Sequence, residues 1–377
     1  MQRPRLLILS FTNAARDPRV FRQALHLRND FDVTVLSRGN PELERVDFHP
    51  VEYRKAESLL VKLHRAGAMA AGDYTPFLKR FRPAESGGFH ERRFDIVLVN
   101  DAMPLPLGFE LARGCPVVFD AHEYYPEQSR TLSYRLFFQK AFTRLLHDHI
   151  PATAGMTTVC PGIADIYERR FGKRPDVVYN APEYCRLTPS KPAADGTIRM
   201  IHHGIAAPGR RLEVMIRVME LLGAGFSLDL MLANPESPHY KKLLNISSGL
   251  ANVSFRPPVK MSEICKTINE YDIGMYILPE TSTNNAFALP NKFFEFIQAR
   301  LAIAIGPSRE MASITKEFDL GVISKDFTAE SMAAAISELT PSRLDTFKSN
   351  SHRAAETYNA DASIATLRNV LSRALER

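Results

Sequence analysis

No stretch of this sequence approaches the ~20 consecutive apolar residues that a bilayer-crossing helix requires, so a spanning helix is not expected. The amino terminus runs directly into Leu6–Leu9, an apolar run of four residues, too short for the core of a secretory signal. Cysteine is scarce. Cys115, Cys160, Cys185 and Cys265 lie far apart and match no metal-ligand spacing. They are expected as reduced thiols of a cytoplasmic protein, with a pairing left open. A Gly-x-Gly-x-x-Gly fingerprint and a Gly-Lys-Ser/Thr loop are both missing where either would be expected, which argues against a dehydrogenase and a P-loop enzyme. No internal repeat is evident.

What is present is ordinary for a globular chain: 377 residues, 45% apolar and 24% charged. That length predicts two domains, each large enough to bury its own core. The net charge of +6 argues only weakly for anionic partners. Its distribution says more. Residues 62–93 hold Lys62, Arg65, Lys79, Arg80, Arg82, Arg92 and Arg93 against Asp73, Glu85 and Glu91, interleaved with Leu63, Met69, Tyr74, Phe77, Leu78 and Phe81. Basic plus apolar is the composition of a membrane-surface segment, and equally of a solvated helix with one buried face. Nucleic acid is not expected as a partner, because no recognised module accompanies the charge.

Short apolar runs alternate with amphipathic stretches along the whole chain, the signature of parallel sheets covered by helices. In the first half, strands are expected at residues 6–9, 31–36, 46–53, 95–99, 116–119, 157–160 and 177–179, with helices over 18–28 and 162–171. Residues 188–196 are proline-rich, polar and aperiodic, which reads as a linker. Beyond it, strands are expected at 198–202, 227–232, 253–255, 273–277, 302–305 and 321–323, with helices between them, among them 211–222 and 292–298. The predicted organisation is a first domain over 1–187, a linker over 188–197, a second domain over 198–355 and a closing helix over 356–377. The fold class is α/β: two doubly wound, Rossmann-like domains facing a cleft, where a ligand would sit outside the carboxyl ends of the strands.

Polar residues at strand ends are therefore the candidates. His122 follows the strand ending at Phe119 and is flanked by Asp120 and Glu123, so it can donate a hydrogen bond or share a proton at neutral pH. Asp101 follows the strand ending at Val99, with capping as its competing role. Gly204 and Gly209 allow the backbone to turn tightly beside a ligand. Arg210 and Arg211 are placed at the start of the next helix, where an arginine fork would hold a diphosphate. Residues 284–298 combine a polar loop with a helix start at Pro290. Exposed N–H groups and a partial positive charge there suit a phosphate, with Lys292 as a mobile cation and Glu295 among the aromatic residues. The reading is a nucleotide-sugar site.

These motifs carry a resemblance that covers nearly the whole chain. Asp17-Pro-Arg-Val20, Asp120-Ala-His-Glu123, the run from Gly204 through Arg210-Arg211-Leu-Glu213, Leu289-Pro-Asn-Lys-Phe-Phe-Glu-Phe296 and Tyr358-Asn359 before a last helix resemble, in order and spacing, glycosyltransferase family 4, the retaining transferases of the GT-B fold. The resemblance implies transfer of a sugar from a nucleotide-diphosphate donor to a hydroxyl acceptor, with retained configuration and neither metal nor cofactor. It implies that Glu295 binds the donor ribose, that Lys292, Arg210 and Arg211 hold the diphosphate with Gly204 and Asn291 beside it, and that His122 lies near the transferred sugar. Asn13, Arg16, Asp101 and Glu123 would face the acceptor side. The acceptor would be a glycan or a lipid-linked molecule, with the basic 62–93 face meeting an acidic or membrane-borne one at the inner face of the membrane. The last helix would cross back to the first domain.

Two positions depart from that pattern. Phe287 stands where the family's Glu-x7-Glu motif has its first glutamate, and Ile205 stands where an arginine often follows the glycine. A less polar site suits a deoxy or otherwise modified sugar. Front-face substitution is the expected route, with double displacement through Asp120 or Glu123 as the alternative. Two other functions stay open: a nucleotide-sugar 2-epimerase of the same fold, and a catalytically inactive binding subunit.

Overall fold

The computed structural model describes residues 3–53, 58–78, 81–83, 89–132 and 134–376. The chain divides into two compact units. The first takes Met1–Tyr179, Ser282–Asn284 and Ser363–Arg377, and the second takes Asn180–Thr281 and Asn285–Ala362.

In the first unit the strands are β1 (Arg5–Leu9), β2 (Asp32–Ser37), β3 (Val46–Tyr53), β4 (Phe81–Pro83), β5 (Ile96–Asn100), β6 (Val117–Ala121), β7 (Gly155–Thr158) and β8 (Asp176–Val177). Their order in the sheet is β4-β3-β2-β1-β5-β6-β7-β8. Neighbours run parallel, except that β4 pairs antiparallel with β3 at the edge. Parallel strands carry helices on both faces, which is why Leu6–Leu9 and Ile96–Val99 read as unbroken apolar runs and are fully buried. The strand order reverses between β1 and β5, so the loops after these two strands diverge and leave a crevice at their carboxyl ends.

The helix Pro18–Leu27 begins where sequence chemistry requires it. Asp17 caps it by accepting the N–H groups of Arg19 (3.0 Å) and Val20 (3.3 Å), and Pro18 fills the first turn without an N–H to lose. Its inner face, Val20, Ala24 and Leu27, packs on Leu6, Ile8, Val33 and Val35. The final helix, Ala360–Leu375, enters the same core through Ile364, Leu367, Val370, Leu371 and Ala374. Gly155 makes its close approach possible, because a Cβ there would lie 2.7 Å from Val370 Cγ1. The last helix thus belongs to the first unit's core, as the resemblance implied.

The second unit holds β9 (Ile198–Ile205), β10 (Phe226–Ala233), β11 (Val253–Arg256), β12 (Ile273–Tyr276), β13 (Ala302–Ile305) and β14 (Gly321–Ile323). They lie in the order β11-β10-β9-β12-β13-β14 and run parallel throughout. Here the reversal falls between β9 and β12. The helix Asn291–Gln298 buries Phe293, Phe294, Phe296 and Ile297, and Gly274 of β12 leaves room for the Phe296 ring, which a Cβ would meet at 2.3 Å.

Several local expectations need correction. Residues 62–93 are not one amphipathic segment: they hold most of the helix Leu59–Ala70, the short helix Thr75–Leu78 and the edge strand β4, while Lys79, Arg80 and Glu85 lie outside the described residues. Helices at Leu105–Ala112 and Gln139–His149 are not expected from the sequence. The helix expected over 211–222 starts at Glu213, because Arg211 takes a left-handed conformation (φ 51°) that ends the preceding turn. The polar loop before Pro290 contains one helical turn, Thr283–Ala286, and Pro290 caps the next helix from outside.

Candidate functional site

Each unit carries one polar cluster at the carboxyl ends of its central strands. In the first unit the cluster is built around Asp120, the fourth residue of β6. Its carboxylate accepts from Arg19 Nε (2.6 Å) and Nη2 (2.6 Å), from Gln23 Nε2 (2.6 Å) and from Thr157 Oγ1 (2.6 Å). The Arg19 Nη1 donates to the Val178 carbonyl at 2.7 Å. Burial opposes the charge on Asp120, but the Arg19 guanidinium outweighs it and holds the carboxyl well below the usual carboxylate range.

Two residues further on, His122 lies between two carboxylates. Its Nδ1 is 3.2 Å from Asp101 Oδ1, and its Nε2 is 3.3 Å from Asp120 Oδ2 and 3.0 Å from Asn100 Oδ1. Burial disfavours the imidazolium, yet Asp101 and Asp120 together raise its pKa to about 9. His122 is therefore a cation at neutral pH. Asp101 is held at φ 73°, a left-handed conformation rare for a residue with a side chain, and the Tyr125 hydroxyl donates to it. Burial pushes the Asp101 carboxyl upward against the pull of His122. Strain and clustered ionisable groups of this kind mark functional positions.

This cluster opens into a cavity of about 370 Å³ whose lining includes Thr12, Asp17, Arg38, Asp101, His122, Glu123, Tyr125 and Gln128. Of the acceptor-side candidates, Asp101 and Glu123 face it. Asn13 and Arg16 do not line it. Asn13 organises the loop after β1 instead: its side chain accepts the Ala15 N–H at 3.0 Å, its carbonyl accepts the N–H groups of Arg16 and Asp17, both at 2.9 Å, and it packs so closely on Gly39 that a Cβ there would lie 2.1 Å from Asn13 Oδ1. Arg16 is exposed. Asn284, which clusters with this unit, accepts the Tyr124 N–H at 2.8 Å and donates to Glu123 Oε2 at 3.1 Å.

The second unit's cluster forms where β9 and β12 diverge. Gly204 sits at φ 140° and lets Lys292 come so close that a Cβ would lie 2.9 Å from Lys292 Nζ. Lys292 Nζ lies 3.2 Å from His202 Nε2 and 4.4 Å from the centre of the Tyr276 ring. His202 Nδ1 is 3.0 Å from the Met275 carbonyl, so Nδ1 carries the hydrogen and Nε2 accepts from the ammonium. Arg210 Nη1 donates to the Tyr276 hydroxyl at 2.9 Å. Burial, reinforced by Arg210, lowers the Lys292 pKa to about 7. Burial and Lys292 likewise push His203 down to about 3 and His202 well below the usual range, so both imidazoles are neutral. His203 Nε2 lies 3.3 Å from Glu295 Oε2, without a hydrogen bond, and both residues are buried.

Lys292 is thus not the mobile cation expected from sequence. It is half-buried and held against Gly204, His202 and Tyr276. Gly204, Arg210 and Lys292 are brought together, with Glu295 one turn of helix away and Asn291 at that helix's first position. Arg211 is not part of the cluster; it is exposed, and its side chain makes no hydrogen bond or ion pair among the described residues. Of the two departures, Phe287 lies under the Arg309 guanidinium, 5.1 Å from its ring centre, and Ile205 is exposed.

Sequence reasoning gave no role to Arg19, Gln23, Asn100, Tyr125, His202 or Tyr276, although Arg19 lies within the Asp17–Val20 motif and His202 opens the run that contains Gly204. Arg19 and Gln23 did leave a signal: both are polar residues on the buried side of the helix Pro18–Leu27.

Residues 19–182 match the sequence profile of Glycosyltransferase Family 4. No curated protein matches the chain by sequence. Among solved structures, HepE of Anabaena in complex with UDP and glucose aligns over 98% of this chain and 99% of its own, at 12% identity and a TM-score of 0.69. The sucrose-phosphate synthase of Thermosynechococcus elongatus aligns over 98% and 99%, at 12% identity and a TM-score of 0.67. WaaG, a glycosyltransferase involved in lipopolysaccharide biosynthesis, aligns over 97% and 98%, at 13% identity and a TM-score of 0.66. At such low identity these likenesses show the fold alone. They give the chain the fold of those proteins, and the profile match, confined to residues 19–182, likens the unit that carries His122 to Glycosyltransferase Family 4.

Proposed function

We propose that this protein transfers a sugar from a nucleotide-diphosphate donor to a hydroxyl acceptor with retention of configuration, in the assembly of a polysaccharide, glycolipid or glycoconjugate. The observation that carries the reading is the Gly204–Lys292 contact: a half-buried lysine, backed by Arg210 and Tyr276, beside the carboxyl ends of the second sheet's central strands. A half-buried ammonium whose pKa is lowered by desolvation and by a neighbouring guanidinium gains from the arrival of an anion, and a diphosphate supplies that charge. In this reading Lys292 and Arg210 hold the diphosphate, Arg211 adds a peripheral cation, and Glu295 accepts from the ribose hydroxyls. The complexes of HepE with UDP and with UDP-glucose support a uridine nucleotide as the first donor to try.

The first unit supports front-face substitution over double displacement. Asp120 is committed to Arg19, Gln23, Thr157 and His122, which leaves no free lone pair aimed outward for attack on an anomeric carbon. His122, with its raised pKa, acts as a hydrogen-bond donor and a positive charge toward sugar hydroxyls. Asp101 and Glu123 orient the acceptor hydroxyl, and the leaving diphosphate removes its proton. No metal is needed in this scheme, because Lys292 and Arg210 supply the charge.

A lipid-linked acceptor is supported by Leu59 (68% exposed) and Leu60 (78%) at the start of the helix Leu59–Ala70, followed by Lys62 and Arg65. Apolar tips flanked by cations suit an anionic lipid surface. The test is a transfer assay with nucleotide sugars and lipid-linked or free glycan acceptors in EDTA, reading the product anomer by NMR. An α-linked product from an α-linked donor supports the proposal. An inverted product, or dependence on a divalent metal, contradicts it. Phe287, beneath Arg309 in place of a glutamate, favours one alternative, an inactive, donor-blind binding subunit; no nucleotide binding even at high concentration would select it.

A further inference from the structure

The opposite end of the first sheet, at the amino ends of its strands, carries a second cavity. It has a volume of about 630 Å³, and its lining includes Arg3, Arg5, Arg28, Arg45, Arg92 and Arg93 together with Phe31 and Phe94. Topology places it. Arg5 opens β1, Arg45 immediately precedes β3, and Arg92 and Arg93 lie in the approach to β5. These are amino ends of strands, whereas His122 and its cavity lie at the carboxyl ends.

The charges do not balance. Six guanidiniums face three lining carboxylates, Asp32, Asp47 and Glu91. Arg92 is paired with Asp47 at 2.8 Å, and Arg5 with Asp95 at 3.0 Å. The other four have no acidic partner among the described residues. Arg3 donates to the Arg28 carbonyl (3.2 Å), Arg28 to the Glu44 carbonyl (2.9 Å) and Arg45 to the Asn29 side-chain oxygen (3.1 Å). Arg28 Nε is buried without a hydrogen-bond partner. Arg93 has no partner among the described residues. A guanidinium keeps its charge at every physiological pH, so cations gathered in a recess repel one another until an anion arrives. The planar fork of arginine matches phosphate oxygens two at a time.

We propose that this cavity binds a soluble, multiply charged phosphate-bearing ligand, at a site separate from the nucleotide-sugar cluster of the second unit. The recess is too large for one phosphate and is concave, which suits a small molecule with several phosphate groups. Phe31 and Phe94 in its lining would cover an apolar or sugar portion of such a ligand.

The probe is inorganic tripolyphosphate, titrated calorimetrically at low salt. The Lys292→Ala protein is used so that the second unit's cluster does not contribute. The expected result is one saturable event, with orthophosphate at least tenfold weaker. The Arg45→Gln/Arg93→Gln double variant, changed only at side chains outside the buried core, should lose at least tenfold in tripolyphosphate affinity with an unchanged melting temperature. In the wild-type background the same two substitutions should leave UDP binding unaltered. No saturable event, equal affinity for orthophosphate and tripolyphosphate, or an undiminished affinity in the double variant would each overturn the proposal.

Discussion

Arg19 closes on Asp120 as a fork: its Nε and Nη2 each lie 2.6 Å from a carboxylate oxygen, and both side chains are buried. The pair joins the first helix of the chain to β6, about a hundred residues later, and it fixes the strand end from which His122 projects. Breaking one member of a buried pair leaves the other charge without compensation, a loss of about 3–5 kcal/mol. Arg19→Met should therefore cost about that much in urea unfolding and lower activity as His122 loses its support. A loss under ~1 kcal/mol would show that the fork is not structural. The Asp120 pKa is depressed in the folded protein. Its contribution is present above the ordinary carboxylate range and fades as pH falls toward the folded value, so the wild-type advantage over Arg19→Met should shrink in acid.

His122 has the opposite sign. Its folded pKa is raised to about 9, from an ordinary value of 6.5. The stability it contributes is complete below pH ~6.5 and is lost as pH rises through about 9. The stability difference between wild type and His122→Gln should follow that course. Its size is at most on the order of 3 kcal/mol, since a tenfold gain in proton affinity on folding is worth ~1.4 kcal/mol. Transfer activity should fall over the same alkaline range. A difference that stays flat from pH 6 to 10 would mean that His122 is neutral.

Lys292 predicts a proton linkage in ligand binding. With a pKa lowered to about 7, a large share of the protein carries a neutral lysine at pH 8, and a diphosphate favours the ammonium. Binding should then take up close to one proton at pH 8 and little at pH 5.5. Calorimetry in buffers of different ionisation enthalpy measures this directly. Lys292→Met should abolish the uptake and weaken binding at least tenfold. Uptake that persists in the variant would move the titrating group elsewhere.

The geometry also separates two adjacent arginines. Arg210 reaches Tyr276 beside Lys292, while Arg211 is exposed in a left-handed turn. Arg210→Met should lower kcat/KM by ten- to a hundredfold, and Arg211→Met by less than tenfold. Gly204→Ala should act like Arg210→Met, because its Cβ meets Lys292 Nζ at 2.9 Å on a backbone at φ 140°. Steady-state kinetics of the three variants decide the matter; equal effects at Arg210 and Arg211 would contradict the assignment.

How far the sequence reached follows from the range of the interactions involved. Strands buried on both faces must be apolar along their whole length, so runs such as Leu6–Leu9 and Ala302–Ile305 were legible one by one. The last helix was legible from its resemblance, and Val370 against Gly155 shows the packing behind it. The edge strand β4 was not: it is three residues long and pairs antiparallel inside a stretch whose composition suggested a helix. In the site, His122, Asp101 and Gly204 were legible because strand ends collect ligands, and Lys292 because it lies at the start of a helix. Their partners were not. Arg19 meets Asp120 and His202 meets Lys292 only through the tertiary fold, and the contacts with His202, Tyr276 and Gly204 are what hold Lys292 in place. Arg211 looked equivalent to Arg210 until the left-handed turn separated them.

The most direct measurement is a thermal-shift screen with UDP, GDP, ADP, dTDP and CDP in EDTA, run on wild type and Lys292→Met side by side. A ligand at a hundred times its Kd adds about 2.7 kcal/mol to the native state. A donor site built on Lys292 predicts a clear upward shift with one nucleotide diphosphate, unchanged by EDTA and absent in Lys292→Met. No shift with any of the five, or the same shift in both proteins, would contradict it.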